Sequence, residues 1–357
     1  MPHSESDARR TSAGTDTRRD AAVREAADRL AQGRLVAFPT ETVYGLGADA
    51  ENVDAVARIY AAKGRPANHP VIVHVAPEAD LGYWTRSVPD QASALVRAFW
   101  PGPLTLILPR AAHIPAMVSG GQDSVGLRCP SHPVAQELLR VFAALKGGHG
   151  GVAGPSANKF GQVSPTRAEH VRTEFADMSP EDLFVLEGGA SEVGIESTIV
   201  DVSRIAEGVG PVLLRPGHVS AAQISEVLGV PVGRPDDAAP RVSGSLKAHY
   251  APRTPLALLD RGQLLARLSK AGDASKRGRK LAVVVFEVPE EWRDAPGVAW
   301  HVAPGWPDAF ARGLYALLRQ LDRKGYDEIW MERPPADSAW QAVNDRVGRA
   351  AAAFDGG

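Results

Sequence analysis

Leu35-Val-Ala-Phe38-Pro-Thr-Glu-Thr-Val-Tyr-Gly45-Leu-Gly47-Ala-Asp-Ala50 is the stretch on which the reading of the fold turns. Its last six residues fit G-x-G-x-x-A behind an apolar run, the pattern of a dinucleotide-binding strand and turn. That pattern needs its glycines at the strand's end, whereas Thr40, Glu41 and Thr42 separate the run 35–38 from Gly45. The next apolar run, residues 70–75 (PVIVHV), is followed by Ala-Pro and carries no acidic residue to hold a ribose. The dinucleotide reading is set aside. Residues 35–38 are read as a buried strand bounded by Pro39, and the polar residues after it as a loop that carries chemistry.

Working outward, residues 21–32 have helical spacing and stop at Gly33, a good C-terminal breaker. Helices are expected over 54–62, 91–99, 134–145 and 221–228, and strands over 70–75, 104–108, 124–128, 184–186, 197–202 and 212–214. Several strands follow one another without a helix between them, so the sheet should be mixed and covered by helices. Residues 230–241 are rich in Pro, Gly and Asp, the composition of an exposed linker. From residue 254 strands and helices alternate again, in a smaller three-layer α/β pattern. The expected fold class is therefore α/β, with residues 1–20 as a disordered tail, 21–220 as the main domain, 221–253 as a linker and 254–352 as the second domain.

The 357 residues suit two domains, and a formal net charge of −2 gives no global pull toward nucleic acid or anionic lipid. Cys129 is the only cysteine, which excludes an internal disulfide and a cysteine-based metal site. No apolar stretch is long enough to span a bilayer, and the start lacks the h-region of a secretory signal, so a cytoplasmic protein is expected. There is no Gly-Lys-Ser/Thr, hence no Walker loop, and no His-x-x-x-His cluster. No protein-only metal cage is expected.

The chemistry is scattered over loops. Lys63-Gly-Arg65 follows a helix and carries two cations beside a residue that permits close approach; alone, such a pair is more often a solvated helix end. The glycine-dense run 147–158 (GGHGGVAGPSAN) offers backbone N–H groups and hydroxyls to an anion, with a plain flexible loop as the equal alternative. Glu196-Ser-Thr198 leads into a buried strand, where it serves either a substrate or a strand cap. Arg128 and Arg215 both end apolar runs, and an arginine buried there needs a structural carboxylate or a ligand anion. His74 sits inside an apolar strand, most often the place of a satisfied core histidine.

In this order the motifs PTETVYGL, KGRP, PSAN, ESTIVD, LLRPG and HYAP resemble the Sua5/YrdC/YwlC family, the threonylcarbamoyl-AMP synthases, in the two-domain Sua5 form. The resemblance implies a YrdC-like twisted mixed sheet over about residues 21–217, followed by a Rossmann-like Sua5 domain. It implies an L-threonine pocket of Thr42, His74, Arg128, Gly154 and Ser197, with Arg128 clamping the carboxylate. It implies ATP contacts from Arg65, His69, Ser124, Ser156, Asn158, Ser164, Arg215 and Tyr250, with Lys63 and Arg65 carrying the chemistry. The substrates implied are L-threonine, bicarbonate or CO₂, and ATP. Mg²⁺ would arrive on the ATP phosphates, and the product would pass to tRNA threonylcarbamoyltransferase proteins. The linker here reads Ser-Gly-Ser-Leu-Lys-Ala-His-Tyr before Ala251, not the Pro-Gly-Met-Lys-Tyr-Arg-His-Tyr of many relatives. The rivals are a non-enzymatic RNA-binding module of the same type and a carbamoyltransferase-type domain as in hydrogenase maturation proteins. The net charge weighs against the first and the single cysteine against the zinc fingers of the second.

Overall fold

The computed structural model describes residues 5–271 and 279–355, and side chains within them from residue 17 to 270 and onward from 279. Nine strands form one sheet: β1 (Leu35–Phe38), β2 (Gly45–Asp49), β3 (Ile72–His74), β4 (Leu104–Pro109), β5 (Ser124–Arg128), β6 (Val152–Ala153), β7 (Leu183–Val185), β8 (Thr198–Asp201) and β9 (Val212–Arg215). Their order is β7-β1-β2-β6-β3-β5-β4-β8-β9. The β1–β7, β3–β5 and β4–β8 pairs are parallel and the others antiparallel. The sheet is mixed, as the run of consecutive strands predicts.

β1 shows why its sequence is apolar without a break. Leu35 and Ala37 point to one core, and Val36 and Phe38 to another, beneath α1 (Glu5–Ala31) and α5 (Pro133–Leu145). Period-2 alternation with both faces covered leaves no polar position.

The strands β2 and β6 were not expected. Gly45 and Gly47 face the Phe38 ring, and a Cβ on either would meet it at 2.9–3.0 Å. The G-x-G pattern thus makes room for an aromatic ring from the neighbouring strand. β6, only two residues long, lies within the glycine-dense run and bridges β2 and β3.

Helix α1 begins at Glu5, so it runs through residues 5–20 that were expected as a disordered tail; residues 1–4 lie outside the described ones. Apart from Gly14, that segment contains no helix breaker. Among the residues whose side chains are described, α1 enters the core through Val23, Ala26, Ala27 and Leu30. The main domain is completed by α2 (Val53–Lys63), α3 (Leu81–Trp84), α4 (Asp90–Phe99), α6 (Ala168–Glu174) and α7 (Ala221–Leu228). Helix α7 packs on α4 and buries Ile224, so residues 221–228 belong to this domain and not to the expected linker.

The second domain is a four-stranded parallel sheet, β10-β13-β11-β12, built from β10 (Leu256–Leu259), β11 (Leu281–Val285), β12 (Val298–Val302) and β13 (Glu328–Glu332). Helices α8 (Arg261–Ala271), α9 (Pro307–Lys324) and α10 (Gln341–Ala351) cover it. Among the described residues no helix is long and apolar enough to cross a membrane.

Candidate active site

Strand register assembles the site. β3 and β5 run in parallel with His74 opposite Arg128, so two motif residues 54 positions apart stand side by side at the ends of their strands. Gly154 follows β6 immediately, Ser197 precedes β8, and Arg215 ends β9 opposite Ile199. The loop after β1 adds Thr40 and Thr42. Together they line a cavity of about 480 Å³.

All five residues expected to hold threonine line this cavity: Thr42, His74, Arg128, Gly154 and Ser197. Arg128 is buried, and each of its three nitrogens donates one hydrogen bond within the protein. Its Nη2 donates to Glu41 Oε1 at 2.6 Å, Nη1 to Thr42 Oγ1 at 2.8 Å and Nε to the Gly102 carbonyl at 3.3 Å. Glu41 in turn accepts the Ser131 N–H. Sequence reading passed over Glu41, although it lies inside the quoted motif. Gly154 leaves room for the imidazole, since a Cβ there would lie 2.9 Å from His74 Nδ1. That nitrogen is buried and has no hydrogen-bond partner within the protein. Ser197 Oγ shares a hydrogen bond of 2.7 Å with Thr105 Oγ1.

Of the residues expected to hold the nucleotide, Ser156, Arg215 and Tyr250 line the same cavity. Ser124 lines a neighbouring one of about 290 Å³, which shares Ile72 and Ser243 with it. Arg215 donates through Nε and Nη2 to the Ser197 carbonyl, at 3.0 and 2.8 Å, and through Nη1 to the Ser243 carbonyl at 2.9 Å. Arg65 donates to the Pro70 carbonyl at 2.7 Å and reaches Ser243 Oγ at 3.5 Å. Burial first, with Arg215 adding to it, lowers its pKa to about 10, so it stays charged at neutral pH. The linker therefore lies on both arginines.

Five expected residues stand outside both cavity linings: Arg65, held as described, and Lys63, His69, Asn158 and Ser164. Lys63 is buried and donates to the carbonyls of Ser156 and Asn158, which pins the Pro155–Asn158 turn from behind. Burial, and next the charge of Arg65, push its pKa well down. The Asn158 side chain turns to the carbonyls of Lys159 and Gln162. Ser164 donates to Glu196 at 2.6 Å, and His69 stacks edge-on against Phe160 at 5.3 Å.

The linker is held along its length. Arg241 and Gln122 exchange hydrogen bonds, and Val242 is buried against Ile107 and Ile199 on the sheet. Tyr250 adopts φ 62° and is buried, its hydroxyl without a protein partner. Beneath it the second domain enters the site wall: Tyr315 Oη and Arg346 Nε each donate to Glu196 Oε2 at 2.8 Å. Both partners come from helices more than 100 residues away, and nothing local in the sequence marks them.

Two buried histidines give the site a pH signature. Burial first, and then Arg128, press the His74 pKa down to about 3; burial, against the pull of Glu196, does the same to His249. The folded chain keeps both neutral, while the unfolded chain protonates them near 6.5. Stability is thus full above pH 6.5 and falls as pH drops toward 3, by about 1.4 kcal/mol per pH unit per histidine. A His249→Asn variant should show a shallower decline of unfolding free energy between pH 6.5 and 4.5 in urea titrations. An unchanged slope would show that His249 does not bear this linkage.

Comparison with known proteins matches this architecture. The family model Sua5_yciO_yrdC, described as telomere recombination, matches residues 28–217, and Sua5_C, described as the threonylcarbamoyl-AMP synthase C-terminal domain, matches residues 219–352. The chain is 35% identical to the threonylcarbamoyl-AMP synthase of Pyrococcus abyssi over 92% of this chain and 93% of that one. It is 38% identical to that of Bacillus subtilis, over 93% of each. The crystal structure of P. abyssi Sua5 complexed with L-threonine superposes with a TM-score of 0.79 at 34% identity, covering 93% of this chain and 94% of that one. By these matches and by the fold, the chain belongs to the Sua5/YciO/YrdC family, in the form that carries the Sua5 C-terminal domain.

Proposed function

We propose that this protein is an L-threonylcarbamoyladenylate synthase, a nucleotidyltransferase that makes threonylcarbamoyl-AMP and pyrophosphate from L-threonine, bicarbonate or CO₂, and ATP. The observation that carries the reading is the convergence of His74, Arg128 and Arg215 on one partly open cavity, in a chain whose full-length relatives bear that name. Thr42, His74, Gly154 and Ser197 would surround threonine, with its carboxylate toward Arg128. Arg65, Ser124, Ser156, Arg215 and Tyr250 would receive ATP where Ser243 now lies.

In this scheme the threonine amine loses a proton and takes up the carbon of CO₂ to form a carbamate. A carbamate oxygen then attacks the α-phosphorus, and pyrophosphate leaves with the bond electrons. No side-chain nucleophile is needed; the protein's part is to exclude water from the carbamate and to place donors on the phosphates. Lys63 acts by holding the Ser156 turn, and Arg65 and Arg215 by meeting developing charge. The carboxylates nearest the cavity, Glu41 and Glu196, are both committed to arginines. They fit a Mg²⁺ carried on ATP phosphates better than one held by protein, and Mg²⁺ there would neutralise phosphate charge. The product would pass to tRNA threonylcarbamoyltransferase proteins in the cytoplasm.

Pyrophosphate release from ATP, with threonine and bicarbonate omitted in turn, tests the reading. Dependence on both is expected. Salt-sensitive RNA binding without ATP turnover would replace it with the RNA-binding alternative, which the burial of the three arginines disfavours.

A further inference from the structure

The second domain puts a charged side chain into the wall of the first domain's cavity. Arg346, on α10, is fully buried. Its Nε donates to Glu196 Oε2 at 2.8 Å, its Nη2 to the Glu196 carbonyl and its Nη1 to the Pro216 carbonyl at 3.0 Å. Its guanidinium lies 5.2 Å from the centre of the Tyr250 ring. Tyr315, on α9, donates to the same carboxylate oxygen. Glu196 has its other oxygen on the Ser164 hydroxyl.

The chain order makes this arrangement consequential. Glu196 is followed by Ser197, whose carbonyl and hydroxyl hold Arg215. Pro216, bound by Arg346, is the neighbour of Arg215. A buried carboxylate beside Arg215 would draw that guanidinium to itself unless another cation answered it. With Arg346 in place Glu196 is compensated, and Arg215 lies on neutral partners, the Ser197 and Ser243 oxygens. A phosphate can displace a carbonyl far more readily than a buried carboxylate.

We propose that Arg346, assisted by Tyr315, is a positioning residue for the nucleotide: it occupies Glu196 so that Arg215 stays available to the polyphosphate. This rests on the synthase reading given above. It assigns the second domain a part in the ATP half of the site, separate from the threonine half around Arg128.

The test measures steady-state KM for ATP and for threonine in the full-length protein, with pyrophosphate release as the signal. Arg346→Gln should raise the ATP KM about tenfold and leave the threonine KM within about twofold. Adding Glu196→Gln to it removes the charge that would capture Arg215, and should recover most of the ATP KM. A merely structural role predicts the opposite: both KM values move together, and the second substitution restores neither. Tyr315→Phe keeps the ring and removes one donor, and is expected to raise the ATP KM about threefold. Should Arg346→Gln fail to fold, Tyr315→Phe decides, and an unchanged ATP KM in that folded variant overturns the proposal. Parent protein that releases no pyrophosphate with all three substrates would instead overturn the synthase reading itself.

Discussion

An Arg65→Ala variant should release pyrophosphate about 10²–10³ times more slowly than the parent protein, the usual effect of removing one donor aimed at developing charge. It should melt within a few degrees of the parent. The two halves of this expectation come from the same geometry. Within the fold Arg65 makes one short hydrogen bond, to the Pro70 carbonyl, and a long one to Ser243; its Nε is buried without a partner. Little of the fold depends on it, since one lost hydrogen bond is worth about 1 kcal/mol. A guanidinium so lightly tied, yet charged and buried, is suited to a ligand anion. Stopped assays for pyrophosphate beside a thermal melt check both halves. Near-parental rates would remove Arg65 from the reacting phosphates.

Arg128→Ala should behave in the opposite proportion, losing about 3–5 kcal/mol of stability along with threonine-dependent activity, because it strands the buried Glu41 carboxylate. Glu41 and Arg128 have side chains only 5% and 4% exposed and meet at 2.6 Å. With the arginine gone, Glu41 keeps only the Ser131 N–H. Adding Glu41→Gln should return much of the stability, because a neutral amide no longer demands a counter-charge, but should not return threonine turnover. Urea unfolding of the two variants separates these outcomes. Equal stability of single and double variants would mean that the carboxylate finds water or another donor, and that the pair does not hold the loop after β1. Arg128 is thus a structural ion pair and a candidate carboxylate clamp at once, whereas the sequence reading posed these as alternatives.

What could be read from the sequence was set by range. Residues 35–38 are apolar over their whole length, 104–108 at every position but Thr105, and 124–128 between Ser124 and Arg128, and each appears as a strand because both faces of the sheet are covered. β2 was hidden because Gly45 and Gly47 resemble a phosphate loop on paper, and only their neighbours in the sheet explain them: the Phe38 ring for both, with Val152 and the Val36 carbonyl for Gly47. β6 has two residues, too few for any periodicity. In the site, His74, Arg128 and Ser197 reach one cavity because they end or precede strands that the sequence already shows, whereas Thr42 comes from the loop after β1 and Gly154 from the end of β6. Lys63 and Asn158 belong to the motifs and Ser164 lies six residues beyond PSAN, yet all three turn to protein partners. A motif fixes a residue's neighbourhood, while the direction of its side chain depends on the atoms packed there. Arg346 and Tyr315 could not be found, because their partner Glu196 is 150 and 119 positions away.

The seat of Ser243 on Arg65 and Arg215 makes the linker a tethered competitor of any anion bound there. A segment joined to the site by a short chain acts at an effective concentration in the millimolar range. If this site takes a nucleotide as proposed, its apparent affinity would equal the intrinsic affinity multiplied by the fraction of molecules whose linker has lifted. Each hydrogen bond from Arg215 or Arg65 to Ser243 lowers that fraction, as does the burial of Val242 between Ile107 and Ile199. On that proposal, substitutions in residues 241–243 would tune the working range of nucleotide concentration while leaving Arg65 and Arg215 in place.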